Sequence, residues 1–172
     1  VSHNRDEVYR LAERIGSIER GVLSTVRDKK DFFMRPQSVE QALLVGCNNI
    51  SEVKWQDKNH VLAVEWDSVF EVTDEKLEQT AVGIDDISHI GIFPQDIIIS
   101  AGKAKTALAH NDKNIIRIKD YKMIEELKNW EVSCKLNNDS IIYASLPKHT
   151  EANMLSKNIN YELYIKNFYL LK

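Results

Sequence analysis

The apolar residues of this chain are gathered into short runs of strand length, and that grouping limits the fold more than any other feature. Val61-Leu62-Ala63-Val64, Val69-Phe70-Glu71-Val72, residues 87–93, Ile97-Ile98-Ile99, Ile115-Ile116-Arg117-Ile118 and Ile141-Ile142-Tyr143-Ala144 are rich in β-branched and aromatic side chains. None approaches the roughly 20 apolar residues that a membrane-crossing helix needs. The closing stretch, residues 161–171, alternates polar and apolar early and is apolar on both faces later, as expected of a strand that becomes central in its sheet.

Helical patterning is shorter and more scattered. Leu11, Ile15 and Ile18 recur at helical spacing and predict a helix ending near Arg20, with Gly21 as its C-cap and Val8-Tyr9-Arg10 as a first turn or short strand. A second helix is bounded by Ser38, with Gln41 in the capping-box position, and by Gly46. Spacing over 121–130 predicts an amphipathic helix, and 151–155 a short one. The expected class is therefore α+β, a mostly antiparallel sheet with short helices.

A length of 172 residues, 43% of them apolar and 28% charged, suits a single compact domain. If the chain has a seam it lies near 100–103, dividing residues 1–102 from an α/β extension over residues 103–172. Residues 1–102 carry 11 basic and 18 acidic side chains, residues 103–172 carry 12 and 8. So weak a basic surplus only hints at nucleic acid. The first residues lack the apolar core of a signal peptide, and a cytoplasmic location is expected. Two cysteines, Cys47 and Cys134, make no disulfide framework and read as reduced, buried thiols.

Familiar chemical signatures are sparse. Ala101-Gly102-Lys103-Ala104-Lys105-Thr106 imitates the end of a phosphate loop, but Ile97 stands where that motif needs its first glycine. His3, His60, His89, His110 and His149 are scattered, without metal-ligand spacing. A cysteine nucleophile would pair Cys47 with His89 or His149. Asp85-Asp86 with Glu65 or Glu71 offers carboxylates of the sort a metal-dependent nuclease uses.

One order of elements is more suggestive. Tyr9-Arg10 is followed by the helix ending in Gly21-Val22-Leu23-Ser24, by Asp31-Phe32-Phe33-Met34-Arg35, by the capped helix 38–46, by Val61-Leu62-Ala63-Val64-Glu65-Trp66 and by Ile90-Gly91-Ile92-Phe93-Pro94-Gln95-Asp96-Ile97. Over about residues 8–100 this resembles the ADP-ribosyltransferase superfamily, in its RNA 2'-phosphotransferase-like or toxin-like branch. The resemblance implies an enzyme that transfers ADP-ribose or a 2'-phosphate from or through NAD on a macromolecular acceptor, RNA or protein. It implies Arg10 and Asp85 or Asp86 as catalytic residues, and Tyr9, Arg10, Ser24, Phe33 and Ser38 around the NAD cofactor. Such a site works by positioning and electrostatics, with an arginine fork on phosphate and a ring on nicotinamide.

Two alternatives stand beside it. One is a catalytically inactive inhibitor or adaptor that binds protein or RNA through Tyr121, Trp130, Tyr143, Tyr161, Tyr164, Phe168 and Tyr169. The other is the metal-dependent nuclease.

Overall fold

The computed structural model describes residues 2, 4–80, 82–101, 114–148 and 161–172. The chain opens with helix α1 (Arg5–Leu11), whose N-cap Asn4 accepts a hydrogen bond from the Glu7 amide. The expected helix across 15–20 is replaced by short strands: β1 (Arg14–Ile15), β2 (Ile18–Glu19), β3 (Val22–Leu23) and β4 (Arg27–Asp28). β1 pairs with β4 and β2 with β3, all antiparallel. The turn of the second pair has Arg20 at φ 49° and Gly21 at φ 82°, the positive angles a tight hairpin demands and a helix forbids. Gly21 is thus a hairpin residue, not a C-cap.

Helix α2 (Lys29–Met34) follows, capped by Asp28, and then α3 (Val39–Val45). α3 matches the sequence expectation at both ends. Ser38 accepts from the Gln41 amide at 3.1 Å, and Gly46 closes the helix at φ 92°.

Ten strands of the described residues make the body. β5 (Asn49–Trp55), β6 (His60–Ala63), β7 (Ser68–Glu71), β8 (His89–Ile92) and β9 (Ile97–Ala101) precede residue 102, with helix α4 (Asp74–Gln79) between β7 and β8. β10 (Ile115–Glu125), β11 (Asn129–Leu136), β12 (Ile141–Pro147), β13 (Tyr161–Ile165) and β14 (Tyr169–Leu171) complete the chain. They form two five-stranded sheets, ordered β14-β8-β5-β6-β7 and β12-β11-β10-β13-β9, with every pairing antiparallel. The protein is mostly antiparallel sheet with few, short helices.

The helix expected over 121–130 is a hairpin instead, with Tyr121 opposite Cys134, Met123 opposite Val132 and Glu125 opposite Trp130. Helical spacing there is a coincidence of composition, overridden by pairing of β11 with β12 on its far side. The closing stretch is not one strand that becomes central: its first part, β13, lies between β10 and β9. It then bends at Lys166-Asn167, and β14 joins the edge of the other sheet. The short helix expected at 151–155, and His3, His110 and His149, lie outside the described residues.

One apolar cluster joins the two sheets. Val61, Phe70, Ile90 and Ile92 from the first pack with Ile116, Val132, Ile142 and Leu163 from the second. Asn49 adds a polar stitch: it donates to Ile92 O (3.1 Å) and Tyr143 O (2.8 Å) and accepts from Tyr143 N (2.7 Å). A smaller cluster of Phe32, Ala42, Val45, Cys47, Phe93 and Leu171 seats α2 and α3 on β8 and β14. Gly91 permits that seat, because a Cβ there would meet Cys47 Sγ at 2.9 Å and Leu171 Cδ1 at 3.0 Å.

Candidate functional site

Three elements converge on one cationic cleft of about 320 Å³: the C-terminal end of α2, helix α4 and the bend between β13 and β14. Arg27, Asp31, Arg35, Lys76, Thr80 and Asn167 line it, with Tyr169. Each is placed by a local device. Pro36 follows Arg35 and prevents α2 from continuing. Thr73 caps α4 by accepting from the Lys76 amide, which fixes the first turn and the lysine with it. Phe168 is buried against Phe70 at 5.5 Å between ring centroids, and this anchors the bend carrying Asn167 and Tyr169.

The charges of the cleft are not equivalent. Arg27 is committed to structure: Nη1 donates to Asp31 Oδ2 (3.0 Å) and Arg35 O (2.9 Å), and Nη2 to Gln41 Oε1 (2.9 Å). Among the described residues its buried Nε has no hydrogen-bond partner. Lys76 is half-buried, with Nζ donating to Asn167 Oδ1 and lying 4.8 Å from the Phe168 ring centre and 5.5 Å from that of Tyr169. Asn167 is held in turn by donating to Tyr169 Oη at 2.8 Å. Arg35 is exposed at the rim. Among the described residues, neither Lys76 nor Arg35 forms a salt bridge.

Burial shapes the titration of this region. Loss of solvent lowers the Lys76 amine below its usual value, opposed by the charges of Asp96 and Glu75. Burial likewise raises the Asp96 carboxyl, against Lys166 and Lys76. The Tyr169 phenol is pushed up to about 12 by burial, with Asp96 and Cys47 adding to the effect. A compact anion suits such a cleft, since it would meet two cations unpaired by carboxylates together with amide side chains.

Two other clefts are less suited. One of about 450 Å³ sets Arg117 against Asp67 and Glu162, so its charges are mixed. One of about 370 Å³, beside α3, has Arg5 as its cation, which donates to Val45 O at 3.2 Å and faces Glu131.

The residues singled out from sequence divide into four places. Tyr9 and Phe33 meet edge to face at 5.0 Å, with Lys29 Nζ 5.4 Å from the Tyr9 ring centre. Ser24 and Ser38 belong to one polar network. Ser24 Oγ accepts from Ser17 N at 2.8 Å, Ser17 donates to Glu19, and Gln41, whose amide Ser38 caps, donates to Glu19 at 2.9 Å. Arg10 is exposed on α1, while Asp85 and Asp86 are exposed on a single 3₁₀ turn beyond α4. Among the described residues, no side-chain hydrogen bond, salt bridge or ring contact links Arg10, Asp85 or Asp86 to the other two groups.

Cys47 and Cys134 are buried free thiols whose pKa burial pushes up to about 12, a state that suppresses the thiolate a nucleophile needs. Among the described residues no three His, Cys, Asp or Glu side chains gather as a metal site. No helix of the described residues is long and apolar enough to cross a membrane.

Sequence reasoning missed Lys76, Arg35 and Asn167. A signal was present: Lys76 is the single lysine or arginine between Lys58 and Lys103, in an otherwise acidic stretch. Its partner, however, is 91 residues away.

The architecture is one already seen in a small oxyanion-binding protein. It matches the crystal structure of the cytoplasmic molybdate-binding protein ModG, with a TM-score of 0.51 over 72% of this chain and 96% of that one, at 14% identity. In sequence, 107 residues, 62% of the chain, align with molybdate/tungstate import ATP-binding proteins named WtpC. Identity is 31% with that of Pyrococcus horikoshii and 29% with that of Pyrococcus abyssi. The aligned stretch is 28% of either relative's length. No family model matches the chain.

These neighbours overturn the ADP-ribosyltransferase resemblance, and with it the transferase and toxin readings, the NAD cofactor and the macromolecular acceptor. The physical error lies at the start of the supposed order. Residues 13–28 are two strand pairs rather than a helix leading to a turn, and the body is two antiparallel sheets. The alternatives, an RNA- or protein-binding adaptor and a metal-dependent nuclease, find no support in the same neighbours. Most of the aromatics assigned to an adaptor surface are wholly or partly buried: Tyr161 and Phe168 lie in the core, and Tyr121 meets Tyr161 edge to face at 5.7 Å.

Proposed function

We infer that this chain binds a tetrahedral oxyanion of the molybdate and tungstate kind, as the ligand-responsive part of an import ATP-binding protein. The observation that carries the reading is the 107-residue alignment with the two WtpC proteins, in a chain whose fold resembles that of ModG. Residues 1–172 act in it as one domain, a view supported by the apolar cluster that joins strands from before and after residue 102. Nucleotide chemistry is left to other parts of such a protein, in keeping with the missing phosphate loop.

Physically, a fully ionised tetrahedral oxyanion offers acceptors on all sides and no donor. It is best met by cations and N–H or O–H groups, with carboxylates kept away or neutralised. Calorimetric titration of the 172-residue chain with sodium molybdate and sodium tungstate tests the reading, with sulfate and NAD as comparisons. Saturable binding of molybdate and tungstate is expected, with no saturable heat from NAD. Absence of saturable binding for both oxyanions at millimolar concentration overturns it.

A further inference from the structure

Lys76 presents an electrostatic puzzle in the cleft it helps to line. Its ammonium is half-buried, yet its hydrogen-bond partner is a neutral amide, Asn167 Oδ1, and two aromatic faces, Phe168 and Tyr169, cover one side. A desolvated cation is ordinarily paired with a carboxylate. Asp96 and Glu75 act on it only through space, and no salt bridge reaches it among the described residues. The ring faces and the amide partly replace lost solvent, but they leave the net charge uncancelled.

The remainder of the cleft complements that charge. An ammonium has three donors, and one is used by Asn167, so two remain for a ligand. Arg35 also lines the cleft as an exposed residue, and its carbonyl is tied down by Arg27. The one carboxylate of the lining, Asp31, is already bound to Arg27 at 3.0 Å, which neutralises it locally. The position of Lys76 is itself built: Thr73 caps its turn, Asn167 holds its head, and Tyr169 Oη holds Asn167.

We propose that the oxyanion sits in this cleft between α2, α4 and the 166–169 bend, with the Lys76 ammonium as its fixed counter-charge and Arg35 closing on it from the rim. This seat rests on the oxyanion reading above. Asn167 acts as a positioning residue, aiming Lys76 rather than touching the anion. The occupant is a compact dianion, since the cleft of about 320 Å³ is walled on one side by Phe168 and Tyr169.

The test compares the unaltered chain with Lys76→Gln, Lys76→Arg, Arg35→Gln and, as a control in the mixed-charge cleft, Arg117→Gln, using molybdate as the probe in calorimetry. Lys76→Gln removes the charge and shortens the side chain while keeping it polar, so affinity is expected to fall at least about tenfold, the scale of a lost charge-assisted hydrogen bond. Arg35→Gln is expected to weaken binding about threefold to tenfold, by the smaller value of an exposed charge. Lys76→Arg should retain most of the affinity, and Arg117→Gln all of it.

A second measurement needs no variant and is indifferent to whether Lys76→Gln folds. Lysines of the unaltered chain are acylated with and without molybdate and read by peptide mass spectrometry, and molybdate should protect Lys76 while leaving Lys122 unaffected. If the unaltered chain binds molybdate but Lys76→Gln binds equally well, or Lys76 gains no protection, the seat is overturned while the oxyanion reading stands. If the unaltered chain binds no oxyanion, both fall together.

Discussion

Residues 4–28, which precede the helix anchored by buried Phe32, and the two sheets of the body are held together by opposite means. In the body the decisive side chains are apolar and fully enclosed: Val61, Phe70, Ile90, Ile92, Val132 and Leu163 all have 0% exposure. In the N-terminal segment α1 buries nothing, and Leu11, Val22 and Leu23 are 78%, 69% and 60% exposed. Polar bonds hold this segment instead: Arg5 to Val45 O, Arg14 to Val26 O, Lys29 to Tyr9 O, and the network of Ser17, Ser24, Glu19, Gln41 and Arg27. Hydrogen bonds of this kind contribute about 0.5–1.5 kcal/mol each after exchange with water, whereas burying one large apolar side chain contributes about 1.5–3 kcal/mol. The segment should therefore open locally well before the body unfolds.

The largest effect that would sharpen this contrast is Phe70→Ala. Phe70 is fully buried between Trp66 and Phe168, and its loss should cost about 3–5 kcal/mol in urea unfolding. It should also loosen the bend that carries Asn167. A loss below about 1 kcal/mol, on the scale of ordinary surface changes, would mean the two-sheet core is not the seat of stability.

Asn49→Ala comes next. It would strand Tyr143 N and leave Tyr143 O and Ile92 O without their shared donor, at a cost of about 1–3 kcal/mol. Loss of hydrogen-exchange protection should concentrate at Tyr143 and not in α1. Gly46→Ala tests the junction of the two regions: its φ of 92° disfavours any Cβ by about 1–2 kcal/mol, and the added methyl would displace the Arg5 guanidinium. Faster exchange in α1 with an intact body is the expected pattern.

Acid should separate the regions further. Burial works against ionised Glu19, but hydrogen bonds from Ser17, Gln41 and Ser38, with the Lys172 charge, outweigh it and hold the carboxyl below the usual glutamate range. A carboxyl whose pKa is lowered by folding adds stability above its unfolded value, and that contribution is lost as pH falls through the folded one. Protection of Ser17 and Ser24 amides should thus weaken on the acid side of the ordinary glutamate range. Glu19→Gln should make their protection independent of pH there.

The same division explains what could be read from sequence. Helix α3 was legible because its signals are local: Ser38, Gln41 and Gly46 lie within its own span or at its ends. Even there the Gln41 side chain departs from the capping box, accepting from Gln37 N and Arg27 rather than turning back to Ser38. β6, β7, β8, β9 and β12 were legible because each is a short run of β-branched and aromatic residues. β5 was hidden, since its inward positions include the polar Asn49 and Ser51. Residues 13–28 mislead because an exposed segment writes no burial pattern, so Leu11, Ile15 and Ile18 imitate a helix face by chance. The cleft was illegible for another reason: Lys76 acquires its character from Asn167, Phe168 and Tyr169, which only the crossing of β14 to the other sheet brings beside it.

The smallest expected effect is the most pointed test of the comparison. Leu11 is the most exposed aliphatic side chain of the N-terminal segment, and an apolar residue so exposed gains little from folding. Leu11→Ser should change the stability of the isolated chain by no more than about 0.5 kcal/mol, the range of ordinary surface positions. It should leave the exchange pattern of α1 unaltered as well, because α1 is fastened by Asn4, Arg5 and the Lys29 bond to Tyr9 O rather than by Leu11. A loss of about 2 kcal/mol, the value of a buried leucine, would show that the segment packs apolar surface in solution after all, and polar bonding would then no longer account for its attachment.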